Sequence, residues 1–189
     1  ILGLAELKKN NPGNRLIVTG CLAQRFPEEL LKEIPEIDGV VGTGDFQKIV
    51  KVVEDVLNDR KVNLVSKELR FIYDETYPRH ISTPKYTAYI KISEGCNNNC
   101  SYCIIPQVRG TFRSRPIPSI MKEAKNLAAT GVKELILIAQ DTTRYGLDLY
   151  GTYSLANLLK ELSKIDEIKW IRVLYMYPTK ITPEYPVLQ

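Results

Sequence analysis

Residues 86–103 read Tyr86-Thr87-Ala88-Tyr89-Ile90-Lys91-Ile92-Ser93-Glu94-Gly95-Cys96-Asn97-Asn98-Asn99-Cys100-Ser101-Tyr102-Cys103, a strand-like run that ends in three closely spaced cysteines. Their spacing is C-x3-C-x2-C, and an Arg-rich stretch follows. A loop rich in Gly, Asn and Ser can curl, so the thiolates of Cys96, Cys100 and Cys103 are expected to converge on one metal centre. A structural zinc site takes four protein ligands and is closed. Three cysteines on a four-iron cluster instead leave one iron free of protein and open to a further ligand. Three of the chain's four cysteines fall within eight residues. That crowding favours metal binding in a reducing compartment over a pair of disulfides.

Working outward, short apolar strands alternate with amphipathic helices. Upstream, Leu2, Leu4 and Leu7 mark the tail of a helix over residues 1–10, and residues 10–14 form a turn cluster. Residues 16–19 are predicted as a buried strand and 20–25 as the loop at its end. A helix over 27–34 follows, with Glu28 and Glu29 at its positive end. A second strand is predicted at 38–41, and Asp45 as the cap of a helix reaching about Asn58. Residues 59–85 are charged, contain Pro78 and Pro84, and read as a linker with a partial strand at 62–65.

Downstream of that linker the rhythm restarts. A strand over 86–93 leads into the cysteine loop, and a helix over 117–130 is closed by Gly131. Residues 134–139 are almost wholly apolar, as in a parallel strand covered on both faces. A loop over 140–152, a helix from Ser154 to about Lys164 and a strand over 169–175 follow, and Thr182-Pro183-Glu184 opens a further helix. The class is therefore α/β, with a domain boundary near residue 76. In such a layout ligands gather at the C-terminal ends of strands. The cysteine loop, Gln140-Asp141-Thr142 and Tyr175-Met176-Tyr177 all fall there.

At 189 residues the chain has room for one domain or two small ones, and 44% hydrophobic content supports a packed core. No apolar run approaches the roughly 20 residues of a membrane span. The N-terminus reads as helix interior rather than a signal peptide, as though the chain began mid-protein, so a cytoplasmic location is expected. The net charge of +4 is unevenly spread: residues 1–79 carry 12 Lys/Arg against 13 Asp/Glu, and residues 80–189 carry 14 against 9. The basic second half suits a nucleic-acid neighbour, and equally an ordinary solvated surface.

Glu94-Gly95-Cys96, Ile104-Ile105-Pro106, Arg109-Gly110 and Arg113-Ser114-Arg115-Pro116 resemble the cluster loop and basic continuation of the radical S-adenosylmethionine (SAM) methylthiotransferases. Val18-Thr19-Gly20-Cys21-Leu22-Ala23-Gln24-Arg25 resembles the end of that family's N-terminal domain. The implied fold is the C-terminal part of that α/β domain over 1–75. Residues 76–189 would then be a truncated radical SAM domain, the first half of a (β/α) partial barrel. The implied cofactors are SAM and two 4Fe-4S clusters. Cys96, Cys100 and Cys103 would ligate the first cluster, with Tyr102 near the adenine of SAM and Gln140 at its methionine end. Cys21 matches the third cysteine of the second cluster's set. The other two have no counterpart here, so that cluster is incomplete in this chain.

The resemblance also implies a reaction. One SAM is cleaved to a 5′-deoxyadenosyl radical that takes hydrogen from an unactivated carbon, while sulfur and a methyl group from another SAM are delivered through the second cluster. Residues 139–146 and Asp148-Leu149-Tyr150 are similar to the branch that modifies the β-carbon of an aspartate in a small-subunit ribosomal protein. The tRNA branch, which acts on an isopentenyl-adenosine, usually carries Gly-Gln-Asn-Val-Asn at that point. The implied partners are the ribosomal protein substrate and, through the basic half, ribosomal RNA, with no membrane. With one cluster and the barrel incomplete, these 189 residues alone are not expected to complete the reaction, and no catalytic residue is assigned.

The residues themselves leave alternatives. His80 would turn the three cysteines into a Cys3His zinc site in a non-catalytic RNA-binding module, although it stands 16 residues before Cys96. Cys21 by itself fits a small buried hydrophobe, and Tyr102 fits loop packing. Arg109, Arg113 and Arg115 fit a grip on RNA, on the SAM carboxylate or on an acidic peptide, or a solvated loop with local salt bridges. Gln140 and Asp141 fit turn capping as well as ligand contact.

Overall fold

The computed structural model describes residues 1–177, so the helix expected at Thr182 lies outside the described residues. The chain forms two compact units. The first comprises Ile1–Phe71 and Asn99–Gly110; the second comprises Ile72–Asn98 and the chain from Thr111 onward. The boundary read from composition lies near residue 76, and the first segment of the first unit ends at Phe71.

In the first unit, α1 (Leu2–Asn10), β1 (Ile17–Thr19), α2 (Cys21–Arg25), α3 (Pro27–Glu33), β2 (Gly39–Val41), α4 (Ile49–Leu57) and β3 (Val62–Leu64) follow in order. The strands form one parallel sheet in the order β1-β2-β3, with Val18 opposite Val40 and Val40 opposite Asn63. All three residues of β2 are buried, as a central parallel strand requires. Ala5, Leu16, Val18, Ala23, Leu30, Ile37 and Val40 form one apolar cluster, and Val41, Val52 and Val56 another.

Two expectations change here. Residues 20–25 are not loop: after Gly20, in the left-handed region at φ 105°, the chain turns directly into α2. Asp45 precedes a 3-10 turn (Phe46–Lys48) without capping it. Its carboxylate instead accepts from the Ser66 backbone N–H and hydroxyl, both at 2.8 Å, and so ties down the chain after β3.

The second unit contains β4 (Thr87–Lys91), β5 (Ser93–Glu94), β6 (Arg113–Ser114), α6 (Ile117–Ala129), β7 (Glu134–Ile138), α7 (Leu147–Tyr150), α8 (Leu155–Leu162) and β8 (Trp170–Val173). Its main sheet is parallel in the order β4-β7-β8, with Tyr89 opposite Ile136 and Ile136 opposite Arg172. α6 starts with a proline in its first turn, buries Ile120, Ala124, Leu127 and Ala128 along one stripe, and ends before Gly131 at φ 100°. α8 buries Leu155, Leu158, Leu159 and Leu162. Both stripes join a core with Ala88, Ile90, Leu135 and Leu137 of the sheet. Each Leu or Ile side chain among them contributes about 1.5–3 kcal/mol on burial. Ser154 does not cap α8 with its side chain; its hydroxyl turns back to the Thr152 carbonyl.

The outer edge of β4 is covered. Arg79 donates to the Tyr89 carbonyl, Arg115 donates to the Lys91 carbonyl at 3.4 Å, and Glu123 bridges the two guanidinium groups. Capping the edge carbonyls this way blocks further strand pairing there. Residues 73–81 and this ion network line a cavity of about 460 Å³. It lies along the strand edge.

Candidate metal centre and the loop after β7

β5 and β6 pair antiparallel, Ser93 with Ser114 and Glu94 with Arg113, and pinch the base of the loop that carries the cysteines. Gly95, at φ 73°, supplies the left-handed turn out of β5. Cys96 is buried, and Cys100 and Cys103 are half-buried. Cys96 belongs with the second unit, whereas Cys100 and Cys103 lie in the segment that belongs with the first. The Cys103 N–H donates to the Cys100 carbonyl at 3.0 Å, closing a turn, and α5 (Ile105–Arg109) follows where sequence analysis placed only an Arg-rich loop.

Among the described residues, no three side chains of His, Cys, Asp or Glu gather closely enough to hold a metal ion. Thiolates repel one another, and sites of this kind are closed by the energy of metal binding itself. The donor set nonetheless fits an iron–sulfur cluster: all four cysteines are free thiols, and three soft sulfurs share one short loop.

Tyr102 is 91% exposed, which leaves no packing role for its ring. Gln140, two residues beyond β7, is half-buried. Cys21 is the first residue of α2 and half-buried. One turn on, the Gln24 carbonyl oxygen accepts from the Thr43 N–H at 3.0 Å, and its amide donates to the Ser66 carbonyl at 3.0 Å. His80 is exposed.

The arginines separate. Arg115 is neither a ligand grip nor a solvated residue: it is 2% exposed and bound by Glu123, Glu75 and Ser119. Arg113 is half-buried, and desolvation pulls its pKa down while Glu94 and Asp148 oppose that shift.

Residues 140–152, expected to be loop, contain a 3-10 turn (Thr142–Arg144) and α7. This stretch fastens three neighbours. Asp141 is 2% exposed; one carboxylate oxygen accepts from the Thr143 N–H at 3.1 Å and from its hydroxyl, and the other from the Asn98 amide at 3.0 Å. Arg144 donates to the Asn98 side-chain oxygen at 3.0 Å. The Gly146 N–H donates to Ser114 Oγ at 2.9 Å, and the Ser114 N–H to Asp148 at 2.8 Å. The buried Tyr145 hydroxyl donates to the Arg115 carbonyl at 2.6 Å. The Thr142 N–H donates to the carbonyl of Tyr175, a residue held at φ 59° just past β8. Asn98 was not singled out from the sequence. Its place between two cysteines was the available signal.

Residues 90–179 match the family model described as the Radical SAM superfamily. Over these residues the chain is similar to that superfamily. Two curated relatives are similar to nearly the whole of this chain. "Ribosomal protein uS12 methylthiotransferase RimO" of Clostridioides difficile (strain 630) is 56% identical over 184 residues, 97% of this chain and 41% of that one. The protein of the same name from Prochlorococcus marinus (strain MIT 9312) is 58% identical over 178 residues, 94% of this chain and 39% of that one. The chain thus spans about two fifths of the length of the curated relatives it matches. Among solved structures, the radical S-adenosylmethionine methyltransferase TsrM from Kitasatospora setae, with tryptophan and a SAM analogue bound, superposes with a TM-score of 0.57 at 15% identity. The match covers 84% of this chain and 35% of that one, and this likeness speaks to fold alone.

Proposed function

We propose that the whole protein carrying this chain is a radical SAM methylthiotransferase, acting on the β-carbon of an aspartate in ribosomal protein uS12. The observation that carries the reading is 50–58% identity to the named uS12 methylthiotransferases over 94–97% of this chain. Cys96, Cys100 and Cys103 would hold a 4Fe-4S cluster, Tyr102 would cover the adenine of SAM, and Gln140 would meet its methionine end. Cys21 would be one ligand of a second cluster. A cluster and SAM bound there supply one-electron cleavage of SAM, and with it hydrogen abstraction from an unactivated carbon. The chain's own residues bind and orient: the β5–β6 pair holds the base of the loop, and Arg113 lies opposite Glu94 on that pair. A ribosomal substrate places the work in the cytoplasm, and the basic balance of residues 80–189 suits a surface near ribosomal RNA.

Two measurements test this reading. Anaerobic reconstitution with iron and sulfide gives a brown protein whose absorbance bleaches on reduction, and Cys96→Ala, Cys100→Ala and Cys103→Ala each lose that cluster. A colourless protein with stoichiometric zinc overturns the reading. In cells lacking the full-length gene, mass spectrometry finds uS12 without its methylthio group and tRNA unchanged; the reverse pattern assigns the tRNA branch instead.

A further inference from the structure

The loop after β7 reaches the cysteine loop through the side chain of Asn98. Asn98 sits between Cys96 and Cys100 in sequence, and its backbone N–H donates to Cys96 Sγ at 3.4 Å. Its side chain is held at both ends, the amide by Asp141 and the carbonyl oxygen by Arg144. Asp141 is itself fixed by Thr143 and nearly inaccessible to solvent. Next to it, the Phe112 N–H donates to the Asn97 side chain at 2.8 Å, so two successive asparagines anchor this limb of the loop.

Hydrogen bonds to cysteine sulfur are among the levers that set an iron–sulfur potential, because a donor stabilises the more electron-rich reduced state. We propose that Asp141 is a positioning residue: through Asn98 it fixes the N–H···S bond to Cys96 and so raises the potential of a cluster bound at that sulfur. This rests on the reading of Cys96 as a cluster ligand. Asp141 touches neither substrate nor cluster in this scheme; Arg144 holds the other end of the same amide.

The test uses the full-length protein carrying this chain, reconstituted anaerobically with iron and sulfide and followed by EPR during a redox titration. The signal followed is the one that Cys100→Ala abolishes. Asp141→Ala removes the acceptor, and Asn98→Asp sets two carboxylates against each other. Both are expected to move the midpoint to more negative values or to lose iron. The double exchange Asp141→Asn with Asn98→Asp swaps donor and acceptor and keeps Arg144 facing an oxygen. It is expected to return the midpoint and iron content towards those of the parent. An unchanged midpoint in both single variants, or a defect that the exchange does not reverse, overturns the proposal. Failure of the parent protein to take up iron at these cysteines overturns the underlying reading as well.

Discussion

Asp45 shows how a residue can be recognised in sequence and still be assigned the wrong task. Burial works against its charge, but Ser66 and Lys48 outweigh that cost and hold its pKa below the usual carboxylate value. A depressed carboxyl contributes stability that is present above its unfolded-state pKa and is lost as pH falls through the folded one. Asp45→Ala is therefore expected to cost about 1–3 kcal/mol at neutral pH, leaving Ser66 without its acceptor. The difference from the parent is expected to shrink below about pH 4, as urea unfolding across pH would measure. Tyr145 carries the opposite sign. Burial pushes its hydroxyl well above the ordinary tyrosine value, so its contribution is complete below the unfolded-state pKa of about 10 and is lost as pH rises beyond that towards the raised folded-state pKa. Tyr145→Phe removes the bond to the Arg115 carbonyl and is expected to cost about 1 kcal/mol in urea unfolding.

At the scale of elements, length decided what was readable. α6, α8 and β7 carry enough turns or apolar positions for their period to show, and they stand within a residue or two of where the pattern puts them. α2, α5 and α7 have five, five and four residues, and β6 has two. Elements that short display no period and form because of what they pack against. Two glycines test the element ends. Gly131→Ala forces a side chain onto φ 100° but meets open space, and is expected to cost about 1 kcal/mol. Gly146→Ala adds a clash, its Cβ falling 2.4 Å from the Ser154 Cβ. The larger loss is expected there, with weakened amide protection across residues 141–150 in hydrogen exchange.

At the scale of the whole molecule, the second unit carries the larger apolar cluster among the described residues. Leu158→Ala is expected to cost about 2–5 kcal/mol through the cavity it leaves, and calorimetry would read this as a lower melting temperature. The division into units was only partly open to composition. A charged, proline-bearing segment marks the change near residue 72, but nothing in the pattern shows residues 99–110 belonging with the first unit. That assignment depends on contacts such as Thr43 Oγ1 donating to the Val108 carbonyl at 2.5 Å, made across 65 residues of chain.

What the amino-acid order determined alone is the α/β class, the βα rhythm and the three thiols that suit a cluster, because periodicity and ligand spacing are local properties. What only the tertiary structure decided is the company those thiols keep. Asp141 and Arg144 lie more than 40 residues from Asn98, and Arg115 finds its carboxylates at Glu75 and Glu123. A buried charge or amide needs a partner wherever the fold brings one, and the choice among distant candidates is made by packing rather than by neighbours in sequence.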